Sequence, residues 1–200
     1  LVYGAMLMVI LLIYVFFGYF TIENMDLPYV LTGVLGLYLL TCAYAAIGLF
    51  MSSITSYQVV AAMGTLAILA VLNFIGDVGQ SISFVRDITY WLSISGRTYP
   101  FLSGMICSED VLYFIIVISL FIVLSTMRLQ AARKRRSQTI TLARYFIAIG
   151  GALFIGYLTS LPISKFYYDA TALKKNTLTP GSQEVVKKLD GDLTITTYMN

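Results

Sequence analysis

The sequence predicts an all-α polytopic membrane protein, with about five transmembrane helices and outer interfacial helices, followed by the start of an extracytoplasmic α/β domain. Three observations carry this. Of 200 residues, 58% are hydrophobic and only 12% charged, with a mean hydropathy of +0.83, whereas a soluble globular domain carries about 25% charge. Apolar runs recur at the length of a bilayer crossing, about 20 residues for a hydrocarbon core of about 30 Å. A cationic knot, Arg133-Lys134-Arg135-Arg136, flanked by Arg128 and Arg144, separates the fourth and fifth runs and gathers six of the thirteen Lys and Arg residues.

That knot sets the orientation, because short loops this basic stay on the cytoplasmic side of a bilayer. A basic run can also be a solvated helix face, a nucleic-acid patch or a localisation signal. Apolar segments of spanning length on both sides favour the topogenic role for Arg128, Arg133, Lys134, Arg135, Arg136 and Arg144. The lipid bilayer is then the expected partner, and no nucleic acid is. The chain opens on Leu1 and reads as a fragment of something longer. Its first apolar run lacks the basic flank and small-residue cleavage site of a signal peptide.

In chain order, Val2 to Phe20 is the first uncharged run, closed by Glu23-Asn24-Met25-Asp26 and Pro28. Tyr29 to Phe50 is the second. Its small residues include Gly33, Gly36, Ala43 and Gly48, and such residues let helices approach closely in lipid, where packing drives association. The competing reading is a lipid-facing helix loosened by glycine, which is common in membrane helices. A polar turn over residues 51–58 leads to the third run, Val59 to Ile75. There Asn73 either bonds a neighbouring helix or, the preferred reading, sits at headgroup level.

Residues 77–110 mix apolar pairs with Asp77, Arg86, Asp87, Arg97, Glu109 and Asp110. Their Trp and Tyr suit short helices on or dipping into the outer leaflet; an ordinary loop is the alternative. Val111 to Met127 and Tyr145 to Leu161 are the fourth and fifth runs. Counting from a cytoplasmic knot, residues 21–28, 77–110 and everything after 161 lie outside. Lysines 165, 174, 175, 187 and 188 then fall outside as well, where the charge bias weakens within a translocated domain. Thr179-Pro180 reads as an N-cap with Pro at the first helical position, and Leu193–Tyr198 alternates like a strand.

The chemistry is sparse. There is no His, hence neither the usual general base nor the commonest metal ligand. Cys42 and Cys107 are too few and too differently placed for a disulfide framework. No phosphate-binding Gly-Lys loop or nucleophile–base pair occurs, and no charge lies at a run's centre to relay protons or bind ions. No catalytic residue, cofactor or metal is expected, and the chain is not expected to be an enzyme.

Two stretches carry a resemblance. Residues 48–62, Gly-Leu-Phe-Met-Ser-Ser-Ile-Thr-Ser-Tyr-Gln-Val-Val-Ala-Ala, resemble the end of the fourth membrane helix and the start of the fifth in type 2 ABC exporter permeases, including the gliding-motility GldF kind. The layout over about residues 1–136 is similar too, and Ser108-Glu109-Asp110 looks like the acidic entry into the last permease helix. Residues 169–190, with Thr-Leu-Thr-Pro at 177–180, are similar to the start of GldG-type proteins, which have one membrane anchor before a large extracytoplasmic α/β domain. The resemblance implies four parts: the C-terminal part of a permease domain over residues 1–129, a cytoplasmic basic linker over 130–144, an anchor over 145–161, and the truncated opening of a GldG-like domain over 162–200. It also implies a separate ABC ATPase subunit and a second permease copy as partners, in the inner membrane, with ATP hydrolysis elsewhere. A membrane-anchored adaptor without transport of its own is the alternative.

Overall fold

A computed structural model describes residues 2–77, 89, 91–133, 138–159 and 165–188. The described chain is an all-α membrane protein with one short strand pair. Its elements are α1 (Val2–Thr21), α2 (Leu27–Ile54), α3 (Gln58–Phe74) with a 3-10 turn Ile75–Asp77, α4 (Ile94–Leu102), β1 (Met105–Cys107), α5 (Ser108–Arg133), α6 (Gln138–Thr159), β2 (Tyr167–Asp169) and α7 (Pro180–Lys187).

Four of these helices, α1, α2, α5 and α6, are long and apolar enough to cross a bilayer. The count of about five is therefore met in length by four. Helix α3, at 17 residues, spans about 25 Å at about 1.5 Å per residue, short of a full hydrocarbon core. The helices also outrun the apolar runs. Helix α2 continues through Met51-Ser52-Ser53 to Ile54, because hydroxyls on helices return hydrogen bonds to their own backbone: Ser53 Oγ donates to Phe50 O at 2.6 Å. The polar turn shrinks to Thr55–Tyr57. Likewise α5 reaches Arg133 and α6 starts at Gln138, so Arg144 lies within a helix rather than in a linker. Lys134–Ser137, most of residues 78–90, and the strand expected at 193–198 lie outside the described residues.

The core lies where α2, α4 and α5 meet. Ala43 and Ile47 of α2, Ile94 and Phe101 of α4, and Tyr113 and Phe114 of α5 form one buried cluster. Helix α3 packs on α2, α6 on α5, and α1 on α2. Helices α1 and α6 leave most of their apolar side chains uncovered by protein, as lipid-facing helices do.

Helix α4 is one of the short helices expected in the 77–110 stretch, and it docks on protein. Its residues 94, 97, 98 and 101 are buried, the i, i+3, i+4, i+7 stripe of a helix docked on protein, while Tyr99 and Leu102 stay exposed. It starts at Ser93, whose side chain accepts from Gly96 N–H at 3.2 Å, a normal N-cap. Gly36 makes the docking possible: a Cβ there would sit 2.5 Å from Phe101 Cβ. Asn73 takes up the other of its two expected roles: its amide donates to Tyr44 Oη of α2 at 3.1 Å, tying α3 to α2.

One end of the bundle is capped. Strands β1 and β2 pair antiparallel, with Met105 opposite Asp169, Ile106 opposite Tyr168 and Cys107 opposite Tyr167. Around them Tyr29 Oη donates to Leu102 O at 2.8 Å, Ala172 N–H to Asp26 Oδ2 at 2.7 Å, and Phe166 N–H to Ser108 Oγ at 3.0 Å. The starts of α2 and α5, the whole of α4 and residues 165–177 thus share one end. The Thr55–Tyr57 turn and the end of α5 fall at the other, since α2 is 28 residues long and α5 is 26, or about 40 Å each.

Candidate functional site: a buried ion network at the capped end

The most developed polar chemistry among the described residues lies beneath this cap. Arg97, on the buried stripe of α4, is 3% exposed. Its Nη1 donates to Glu109 Oε1 and, at 3.0 Å, to Asp110 Oδ1. Lys165 Nζ, from the segment after α6, reaches Glu109 Oε2 at 2.8 Å. Two cations thus meet two carboxylates from three parts of the chain. Glu109 and Asp110 also occupy the first turn of α5, where the helix dipole favours negative charge.

An aromatic wall closes the site. The Arg97 guanidinium stands 5.7 Å from the centroid of the Tyr113 ring, a cation–π distance. Tyr113 Oη donates to Leu92 O at 2.8 Å, and its ring meets Trp91 edge-on at 5.8 Å. Trp91 in turn lies against Gly156 of α6, where any Cβ would collide with the indole.

Charge is held in place here rather than made reactive. Burial disfavours the Arg97 charge, but hydrogen bonds to Glu109 and Asp110 outweigh it and hold the guanidinium pKa above its ordinary value. The Glu109 hydrogen bond raises Lys165 in the same direction. Burial first, then the neighbouring Asp110 carboxylate, pushes the Cys107 thiol up to about 12, which makes it a packing residue and not a nucleophile. No group of three or more potential metal ligands occurs among the described residues.

A second polar knot lies on the ribbon. Asp169, 8% exposed, accepts from Thr171 N–H at 2.9 Å and Thr171 Oγ1 at 2.7 Å through one oxygen. Its other oxygen accepts from Asn176 N–H at 2.9 Å and Thr177 Oγ1 at 3.0 Å. Asn176 then donates from its side chain to Ser103 O at 2.9 Å, fastening this loop to the end of α4. At the hinge, Gly104 adopts φ +79° with Tyr29 and Thr171 at 2.5 and 2.7 Å from where a Cβ would be, so only glycine fits there.

The residues singled out by sequence for helix packing fare differently from one another. Gly36 lies under Phe101, Gly48 has Thr65 of α3 at an ordinary 3.8 Å, and Gly33 has nothing within 4 Å. Ala43 is fully buried. Arg128 and Arg144 lie on α5 and α6; Arg133 ends α5, and Lys134, Arg135 and Arg136 lie outside the described residues. Sequence reasoning placed Arg97, Glu109 and Asp110 in one interfacial stretch without pairing them. The available signal was an acidic pair at a helix start preceded by a single arginine. Lys165 and Asp169 carried no such signal, since their partners are remote in sequence.

No protein-family model, curated protein or solved structure matches this chain.

Proposed function

We propose that the chain is a transmembrane permease subunit of an ABC transporter, driven by a separate ATPase, working with a second permease copy in the inner membrane and associated with gliding motility. The reading rests on one observation: the order of elements around the Gly48–Ala62 stretch. Two long apolar helices, a short turn, a third apolar helix, a helix tucked into one end and a last long helix with a basic end follow the layout implied by the permease resemblance. ATP-driven closure of the partner would rock these helices against a second copy, and ATP hydrolysis is assigned to no residue of this chain. Under the same reading the basic end is cytoplasmic and the capped end, with the GldG-like segment after α6, is extracytoplasmic.

Reading the neighbouring genes for an ABC ATPase, and co-expressing the chain with it, tests this. The expected result is a complex containing two permease chains and ATP hydrolysis that rises when they are present. A chain that purifies without the ATPase and supports no ATP-dependent flux overturns the transport reading. Single cysteines at Ser137 and Ser182 test the orientation: Ser182→Cys is expected to react from outside and Ser137→Cys only from within.

An adaptor without transport is the second reading. One observation favours it: the densest polar network among the described residues sits in the cap, outside the middle of the long helices.

A further inference from the structure

The segment after α6 does not hang from its anchor. Between Lys165 and Thr177 it touches four separate parts of the cap: Glu109 through Lys165, β1 through β2, Asp26 through the Ala172 amide and Ser103 through Asn176. The loop that makes these contacts is closed on itself by Asp169, whose two oxygens gather four donors. Lys174 adds a bond from Nζ to Asp169 O at 2.6 Å while lying 5.2 Å from the Tyr168 ring centroid. A flexible tether needs none of this; each of these bonds costs ordering entropy that a free linker would keep.

We propose that Lys165–Thr177 is a latch that joins the region after α6 to α4 and β1 as one mechanical unit, with Asp169 closing the latch and Glu109 linking it to Arg97. Glu109 accepts from Arg97 of α4 on one oxygen and is paired with Lys165 on the other. A displacement of α4 therefore reaches the segment after α6 through one carboxylate and the strand pair. This deepens the permease reading, since a helix moved during transport would carry the outer region with it. The latch itself is testable without any transport.

Cys107 supplies the probe. Ala170 N–H donates to Gly104 O at 2.9 Å and Ser108 N–H to Phe166 O at 3.0 Å, so Cys107 and Tyr167 form the close, non-hydrogen-bonded type of antiparallel pair. Tyr168 faces away on the other side of the ribbon. In a Cys42→Ser background, with a protease site inserted at residues 134–137, full-length protein in membranes is oxidised and then cut. Tyr167→Cys is expected to hold the two pieces together through a disulfide with Cys107. Tyr168→Cys is expected to crosslink at least about tenfold more slowly, because its side chain leaves the opposite face. Both variants share the same buried Cys107, so its low reactivity cancels. Adding Asp169→Ala or Lys165→Gln to Tyr167→Cys is expected to slow crosslinking several-fold. Equal rates for the two cysteine positions, or a Tyr167→Cys rate indifferent to both added substitutions, overturn the latch. Loss of ATPase coupling with the latch intact would count against the permease reading alone.

Discussion

Arg97 of α4 and Asp110 of α5 face each other at 3.0 Å, with side chains 4% and 6% exposed. A pair this deep is costly to assemble, since the penalty for taking two charges out of water can exceed their mutual attraction. It is far costlier to break, because the remaining charge is left without its partner. Its value to the fold is directional. Arg97 pulls α4 against the start of α5, and Glu109 brings in the segment after α6.

Replacing Arg97 by Met should therefore destabilise the protein by about 3–5 kcal/mol, the scale for removing one partner of a buried ion pair. Arg97→Lys should recover only part of this, because an ammonium cannot present the guanidinium fork to two carboxylates at once. Thermal unfolding of the purified protein in detergent checks both. Equal stability of Arg97→Met and the parent would show that the network contributes nothing net.

The α2–α4 approach gives a second expectation. Gly36→Ala places a methyl 2.5 Å from Phe101 Cβ, both on well-packed helices, and should cost about 1–3 kcal/mol as overpacking. Gly33→Ala meets open space and should stabilise slightly, by up to about 1 kcal/mol, through helix propensity. Combining Gly36→Ala with Phe101→Gly, which removes the Cβ at 2.5 Å, should cost less than the sum of the two singles, which a double-mutant cycle reads directly.

Much of this architecture was legible and some was not, for identifiable reasons. The long helices announce themselves because a bilayer crossing requires an uninterrupted apolar run. Their ends do not, since Ser52, Ser53 and the Arg133 end of α5 continue helically past the apolar limit. The Thr179 cap was readable because it is local: Ser182 N–H bonds Thr179 Oγ1 at 3.4 Å. The docking of helix α4 was not legible because its buried stripe, Ile94, Arg97, Thr98 and Phe101, is half polar and so lacks the apolar signature of a docked face. The ribbon was invisible for a different reason. Its strands are three residues each and lie about sixty residues apart in the chain, so neither alternation nor a hairpin turn marks them.

Asp169 makes the latch sensitive to acid in one direction only. The Thr171 hydroxyl, opposed by burial and helped by the amides of Thr171 and Asn176 and the Thr177 hydroxyl, holds its carboxyl well below the usual range. A carboxylate depressed in the folded state contributes stability above its unfolded pKa of about 3.9. That contribution is lost as pH falls from there towards the folded value. Amide protection at Thr171 and Asn176, corrected for intrinsic exchange, should thus be flat from pH 7 to about pH 5 and decline only in stronger acid. In Asp169→Asn the acid decline should vanish, with lower protection throughout because a neutral amide accepts more weakly than a carboxylate. A decline centred near neutral pH in the parent would assign the closure to another group.

Cys107 tests how firmly the ribbon covers the network. It is 5% exposed, and burial together with Asp110 pushes its thiol up to about 12, so at pH 8 almost none of it is thiolate. In a Cys42→Ser background, maleimide labelling of native protein should be at least about a hundredfold slower than for an exposed thiol, because the thiolate is the reacting species. Raising the pH to 9 should leave it slow, whereas a thiol of ordinary pKa would have largely ionised. Gly104→Ala should relieve this protection. A methyl at Gly104 cannot share the left-handed backbone with Tyr29 and Thr171 so close, and the ribbon must part to admit it, exposing Cys107 while the long helices stay folded. Labelling that accelerates only when the whole protein unfolds would mean that Cys107 is shielded by the helices and not by the strand pair.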